Sequence, residues 1–283
     1  MTDSGSGDRP YRFAFLADMQ LGAYASFSGL SEEAARSAVE AGLKIEPMPE
    51  VEGIEWDADR YAEAARLVNR LQPDLVVIGG DMLDDPSSEE QIAEFMWITG
   101  TIEPPVRWVP GNHDAADDTV VPTPASLARY REVFGPDYFA FDAGPLRFVA
   151  LDTVVIDHPE EVPGEWEAQL AFLEVELAEA SARGLTTVVV GHHPLFCVDP
   201  TEPEDYWNLP PERRSVILAL LHRHGVPMVL SGHWHRNSVV RDGDLEMVVS
   251  GPVGYPLGDD PSGLRIVEFD DGRFDHRYVP LGE

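Results

Sequence analysis

The sequence predicts an α/β fold of mixed β-sheets with helices on their outer faces. Two observations carry the prediction. Short apolar runs alternate with segments of helical periodicity through most of the chain. Toward the end, residues 239–279 change to short strand-like runs separated by turns.

Taken in order, residues 12–17 form an apolar run that ends in Asp18, a buried strand. Residues 57–71 place Tyr61, Ala64, Ala65, Val68 and Leu71 at helical spacing, and Gln72 with Pro73 closes that helix. Residues 75–78 make a second buried strand before Gly79-Gly80-Asp81. A helix is expected at 87–99, and Pro104-Pro105 precede a third strand that ends near Val109. Residues 123–134 read as a helix with Thr123 as its cap and Pro124 in its first turn. Residues 138–142 and 146–151 pair as a hairpin across Ala143-Gly144-Pro145, and 165–183 form an amphipathic helix stopped by Gly184. A strand at 186–190 leads into Gly191-His192-His193-Pro194. A helix covers 211–224, and a strand at 227–230 leads into Ser231-Gly232-His233. No repeat, composition break or long linker divides the chain, so residues 11–283 are expected as one domain behind a flexible, polar, Gly/Ser-rich tail at 1–10.

Composition narrows the function classes. The 283 residues contain 51 acidic and 20 basic side chains, a net charge of −31, and Lys44 is the sole lysine. A surface this acidic repels nucleic-acid phosphates, which argues against a nucleic-acid partner. Two readings of the charge stand: adaptation to a salty cytoplasm, where screening at 1 M salt shortens the Debye length to about 3 Å, or the arginine-over-lysine bias of a GC-rich genome. No apolar run has the length of a membrane span or the pattern of a signal peptide, so neither a membrane partner nor export is expected. The lone Cys197 excludes an intrachain disulfide and reads as a small buried apolar residue; a cytoplasmic location is the default.

One local pattern recurs. An apolar strand ends and polar, ligand-type residues follow at once: Asp18-Met19-Gln20, Gly80-Asp81, Gly111-Asn112-His113-Asp114, Gly191-His192-His193 and Gly232-His233-Trp234-His235. Ligands of open α/β sheets bind beyond the carboxyl ends of the strands, so five such ends can converge on one crevice. Each cluster alone reads equally well as a turn. Together they hold five of the nine histidines, which makes a chance set of turns untenable. Mixed carboxylate and imidazole donors suit Mn, Fe, Zn or Co, and a shared carboxylate can bridge two divalent cations that clamp a phosphate.

In this order the clusters resemble the calcineurin-like metallophosphoesterase superfamily, whose signature runs Asp-x-His, Gly-Asp, Gly-Asn-His-Asp/Glu, a later His and Gly-His-x-His. The resemblance implies a four-layer α-β-β-α sandwich with two mixed sheets. Several other segments are similar to a narrower branch, the calcineurin-like phosphoesterase domain-containing proteins of serine/threonine protein phosphatase type. They are Leu16-Ala17-Asp18-Met19-Gln20-Leu21-Gly22, Gly135-Pro136-Asp137-Tyr138-Phe139, Asp205-Tyr206-Trp207-Asn208-Leu209, the stretch 231–237, and 257–265. By position, the resemblance implies a first metal held by Asp18, Gln20, Asp81 and His235. It implies a second held by Asp81, Asn112, His192 and His233, with Asp81 bridging. His192 is preferred to His193 because the family's ligand stands two residues before a proline, here Pro194.

Gln20 departs from the superfamily's histidine. Its neutral amide is a weaker, harder donor, which favours Mn or Mg over Zn at the first position. Glutamine there also occurs in manganese-dependent ADP-ribose/CDP-alcohol diphosphatases. The implied reaction is in-line attack on phosphorus by a metal-bound hydroxide, with no serine or cysteine nucleophile. His113 is expected to protonate the leaving oxygen or bind the transition state, Asp114 to fix its ring, and Arg236 to contact phosphate beside Asn112 and His113. Tyr206, Trp207 and Trp234 are candidates for the pocket wall or for the core, and the Gly/Pro-rich stretch 251–263 for a rim loop or a connector. The leading expectation is a phosphomonoesterase, with phosphoproteins as candidate substrates. A phosphodiesterase or nucleotide diphosphatase, and a non-catalytic metal-binding scaffold, are the alternatives.

Overall fold

Two sheets lie face to face, and their central strands are buried on both sides. The computed structural model describes residues 9–31, 33–34, 36–37, 50–116 and 121–282, so Lys44 and residues 1–8 of the expected tail lie outside the described residues. The first sheet has the order β11-β10-β1-β2-β3. It comprises β1 (Tyr11–Leu16), β2 (Leu75–Ile78), β3 (Val106–Trp108), β10 (Gly263–Asp270) and β11 (Arg273–Pro280). β1, β2 and β3 run parallel, and β10 and β11 add antiparallel at one edge. The second sheet has the order β4-β5-β6-β7-β9-β8. It comprises β4 (Phe139–Ala143), β5 (Leu146–Ala150), β6 (Thr186–Val190), β7 (Met228–Ser231), β8 (Ser238–Asp242) and β9 (Leu245–Val249). β5, β6, β7 and β9 are parallel, with an antiparallel strand at each edge.

Alternation along each strand divides the core into layers. In β1, Phe13 and Phe15 face the second sheet with Leu75, Val77, Phe148, Val188 and Leu230; Phe13 meets Phe148 edge to face at 5.1 Å. Ala14 and Leu16 face the other way, against α2 (Glu55–Leu71), α3 (Glu89–Thr99) and α5 (Pro124–Phe134). On the far side of the second sheet, Val149, Val189 and Val229 pack against α7 (Glu165–Arg183) and α8 (Pro211–Arg223). The result is the expected four-layer α-β-β-α sandwich with two mixed sheets.

The local signals act as anticipated. Gln72 takes φ 49° and ends α2, Thr123 accepts from the Ser126 amide to cap α5, and Gly184 at φ 69° stops α7. Three short helices were not legible: α1 (Ala23–Phe27), α4 (Asn112–Ala115) and α6 (Thr153–Asp157). Each is a turn or so long, too short for a periodic pattern to register. No helix among the described residues is long and apolar enough to cross a membrane.

Candidate metal centre

The five polar clusters meet at one place. Asp18, Asp81 and Asn112 follow β1, β2 and β3 of the first sheet, and His192 and His233 follow β6 and β7 of the second. Sharp backbone reversals after these strands turn the side chains inward. Asp18, Gln20, Asp81, His233 and His235 all adopt positive φ, from 39° to 67°. Such conformations cost a non-glycine residue about 1–3 kcal/mol each and persist only where the surroundings enforce them. Glycines allow the close approach: a Cβ on Gly111 would stand 2.1 Å from Asp81 Oδ1, and one on Gly232 2.5 Å from Asp18 Oδ2.

Two groups of donor atoms result, and both contain Asp81. One is Asp81, His192 and His233; the other is Asp18, Asp81 and His235. Backbone carbonyls select the ring nitrogens that face inward. His192 Nδ1 donates to Gly79 O at 2.8 Å, His233 Nε2 to Tyr206 O at 2.9 Å, and His235 Nδ1 to Tyr255 O at 2.5 Å. His192 Nε2 and His233 Nδ1 then confront each other at 3.2 Å, with Asp81 Oδ2 3.1 Å from the former. With both N–H groups committed elsewhere, three lone pairs face one another, and only a cation or a proton reconciles them. Asn112 adds a buried Oδ1 with no hydrogen-bond partner. The residues present therefore fit divalent cations.

The electrostatics agree. Burial opposes ionisation of Asp81, but His192, His113 and His233 outweigh it and hold the carboxylate well below its usual range. Burial alone would lower the pKa of His192; Asp81 and Asp18 more than reverse this and raise it to about 9, so a proton stands in where a cation would. His233 falls to about 3 through burial and the neighbouring His192. His193 turns aside: its Nδ1 pairs with Thr153 Oγ1 at 3.1 Å, and it belongs to neither donor group.

A cavity of about 440 Å³ opens over the centre, lined on its polar side by Gln20, Asp81, His113, His233 and His235. Tyr206 and Trp207 also line it, as does Leu257 from the 251–263 stretch, which therefore forms rim. Trp234 packs with the core between the second sheet and its helices.

One expected role is corrected. Asp114 does not fix the His113 ring; its carboxylate accepts from the amides of Gly111, Met82 and Leu83 at 2.9–3.2 Å and ties the β3 loop to the β2 loop. The reason is that α4 turns adjacent side chains to different directions. The Arg236 guanidinium donates to the carbonyl of the rim residue Leu257 at 2.9 Å and lies over the Trp234 ring.

Asp84, overlooked in the sequence, takes the place assigned to Asp114. It accepts from Gln20 Nε2 at 3.1 Å, its backbone carbonyl accepts from His113 Nδ1 at 3.3 Å, and its carboxylate lies 3.7 Å from that ring nitrogen. Its signal was a second carboxylate three residues after Asp81, masked by the run Asp84-Asp85 before a helix, which reads as ordinary loop.

With this geometry in hand, comparison with known proteins identifies the class. The calcineurin-like phosphoesterase family model matches residues 11–237. The chain belongs to the calcineurin-like phosphoesterase family and is a phosphoric ester hydrolase. It is 34% identical over 242 residues to the serine/threonine-protein phosphatase CPPED1 of Danio rerio, covering 82% of this chain and 77% of that protein. It is 32% identical over 243 residues to CPPED1 of Homo sapiens, covering 82% and 76%. Among solved structures, a dimetal phosphatase from Danio rerio superposes with a TM-score of 0.70 over 98% of each chain at 16% identity, a likeness of fold.

Proposed function

We propose that this protein is a dinuclear-metal-dependent phosphomonoesterase of the phosphoprotein-phosphatase type. One ion would be held by Asp18, Gln20, Asp81 and His235, and the other by Asp81, Asn112, His192 and His233. The observation that carries the reading is the pair of donor groups with Asp81 in common. Asp84 engages the amide nitrogen of Gln20, which leaves Oε1 as the ligating atom of that side chain. An amide oxygen in place of imidazole favours Mn, then Mg, over Zn or Fe at the first position. Two divalent cations held there would supply Lewis acidity, lowering the pKa of a water for in-line attack and offsetting charge on the phosphoryl oxygens.

The chain's own residues supply the rest. His113 lines the cavity beside Gln20, whose amide nitrogen stands 3.2 Å from its Nε2, the ring nitrogen that, once protonated, would donate to the leaving oxygen. Burial lowers its pKa, and in the metal-free protein the charges of Asp81 and Asp84 outweigh burial and raise it. Asp114 positions the loops that carry Asp81 and Asn112, and Arg236 holds the rim at Leu257. The similarity to CPPED1, named a serine/threonine-protein phosphatase, favours monoesters over diesters.

The test is a substrate panel with the Mn-loaded protein: a phosphoserine peptide and p-nitrophenyl phosphate against bis-p-nitrophenyl phosphate and ADP-ribose. Monoester turnover is the expected result. Turnover of diesters or ADP-ribose alone replaces it with the diphosphatase reading, and a metal-loaded protein that hydrolyses none of them is a scaffold.

A further inference from the structure

The wall of the cavity facing the metal centre is aromatic, and the hydrolytic chemistry makes no use of it. Phe27 from α1 and Tyr206 and Trp207 from the loop before α8 line it. Phe27 and Trp207 pack with Tyr24, Trp56, Tyr255 and Leu257 in one cluster drawn from four separate chain segments. Phe27 stacks on Tyr255 at 5.4 Å, Tyr24 on Trp56 at 4.0 Å, and Tyr206 meets Trp207 edge to face at 4.7 Å.

Both supports of this wall are fixed. Asp57 Oδ2 accepts from the amides of Gly22 and Tyr24 at the start of α1, and Ser26 Oγ donates to Asp84 at 2.6 Å. The Glu202 carboxylate accepts from the amides of Cys197, Val198 and Asp199 and from the Asn208 side chain, which closes the loop that presents Tyr206. Tyr206 nevertheless stays 51% exposed. A rigid aromatic face open to the cavity is a binding surface for a flat ring.

Charge narrows the ligand further. Among the described residues, the charged side chain lining the cavity besides Asp81 and the imidazoles is Asp205, and no lysine or arginine lines it. A second phosphate on the substrate would meet that carboxylate.

We propose that the cavity selects phosphate monoesters of aromatic alcohols, with the ring of the leaving group against Phe27 and Trp207. The inference rests on the phosphomonoesterase reading and names its substrate class. In the reaction the oxygen of water bonds to phosphorus and the bond from phosphorus to the aryl oxygen breaks. The aryl oxygen keeps the electron pair and takes up a proton, giving inorganic phosphate and a phenol.

The experiment compares kcat/KM for a phosphotyrosine peptide, phenyl phosphate, a phosphoserine peptide and ADP-ribose in the Mn-loaded wild type, Phe27→Leu and Trp207→Leu. The change in the aryl-to-alkyl ratio between proteins cancels the intrinsic reactivity of each ester. Each variant is expected to lower that ratio by about three- to ten-fold, the size of one lost ring contact. Asp205→Asn is expected to raise ADP-ribose turnover relative to phenyl phosphate. A higher rate for the peptide assigns the aryl phosphate to protein, and a higher rate for the free ester to a small molecule. Monoester turnover with a ratio unmoved by both variants overturns the aromatic subsite and leaves the phosphomonoesterase reading standing. Binding gives a second measure, read by tryptophan fluorescence: phenylphosphonate is expected to bind more tightly than methylphosphonate, and equal affinities overturn the proposal even if no ester is turned over.

Discussion

At the residue scale, the centre depends on which atom each side chain has left after its other contacts are met. His192, His233 and His235 each commit one ring nitrogen to a backbone carbonyl, so the other is fixed as a lone-pair donor. Gln20 is treated in the same way by Asp84. Replacing Gln20 with histidine should tighten the first site and shift its preference from Mn toward Zn, read by competition titration with both metals. An unchanged Mn/Zn ratio would mean that Gln20 is not a ligand. In the metal-free protein the charges of Asp81 and Asp84 raise the His113 pKa despite burial. A general acid acts only while protonated, so kcat should decline as pH rises through the His113 pKa of the metal-loaded enzyme. His113→Gln should lower kcat by about 10²–10⁴-fold and abolish the alkaline limb of the profile. A limb that survives the substitution belongs to another group.

At the scale of elements, tight contacts between loops replace local propensity. Gly111→Ala would put a Cβ against Asp81 Oδ1. The expected result is an unchanged far-UV spectrum, loss of bound metal by elemental analysis, and roughly 10²-fold lower activity from displacement of one carboxylate by about an ångström. Asp57 joins α2 to the start of α1, where Gly22 has no side chain with which to cap the helix. Burial raises its pKa to about 7, against two backbone hydrogen bonds that favour the charge. The unfolded chain releases this proton near pH 3.9. The folded state therefore binds more protons between those values, and the contribution of Asp57 to stability falls as pH rises through that window. Asp57→Asn should gain on the wild type by roughly 2–4 kcal/mol between pH 4 and pH 8 in denaturant unfolding. A pH-independent difference would place the Asp57 pKa near its ordinary value. The long elements were legible because periodicity accumulates over their length: α7 spans 165–183 and β2 spans 75–78 as expected. α1, which carries Phe27, was not, since five residues make little more than one turn.

At the scale of the whole molecule, a net charge of −31 opposes compaction, and the centre concentrates that cost by gathering Asp18, Asp81 and Asp114 in the interior. Divalent cations that bind only the folded state should offset it by about 2.7 kcal/mol per site at a hundred-fold excess over Kd. Chelation should therefore lower Tm, and 1 M monovalent salt should restore part of the loss in the metal-free protein by screening. A Tm indifferent to chelator would contradict a metal site of that affinity.

The sequence by itself determined the chemistry of the donors and their places at strand ends, because a strand and the turn after it are set by neighbouring residues. Only the tertiary structure decided which strands share a sheet, which ring nitrogens face inward, that Asp84 rather than Asp114 attends His113, and that Arg236 braces the rim. Those outcomes depend on contacts across long separations, 113 residues from His192 to Gly79 and 215 from His233 to Asp18. No local periodicity encodes such contacts; they follow from packing two sheets face to face through their buried central strands.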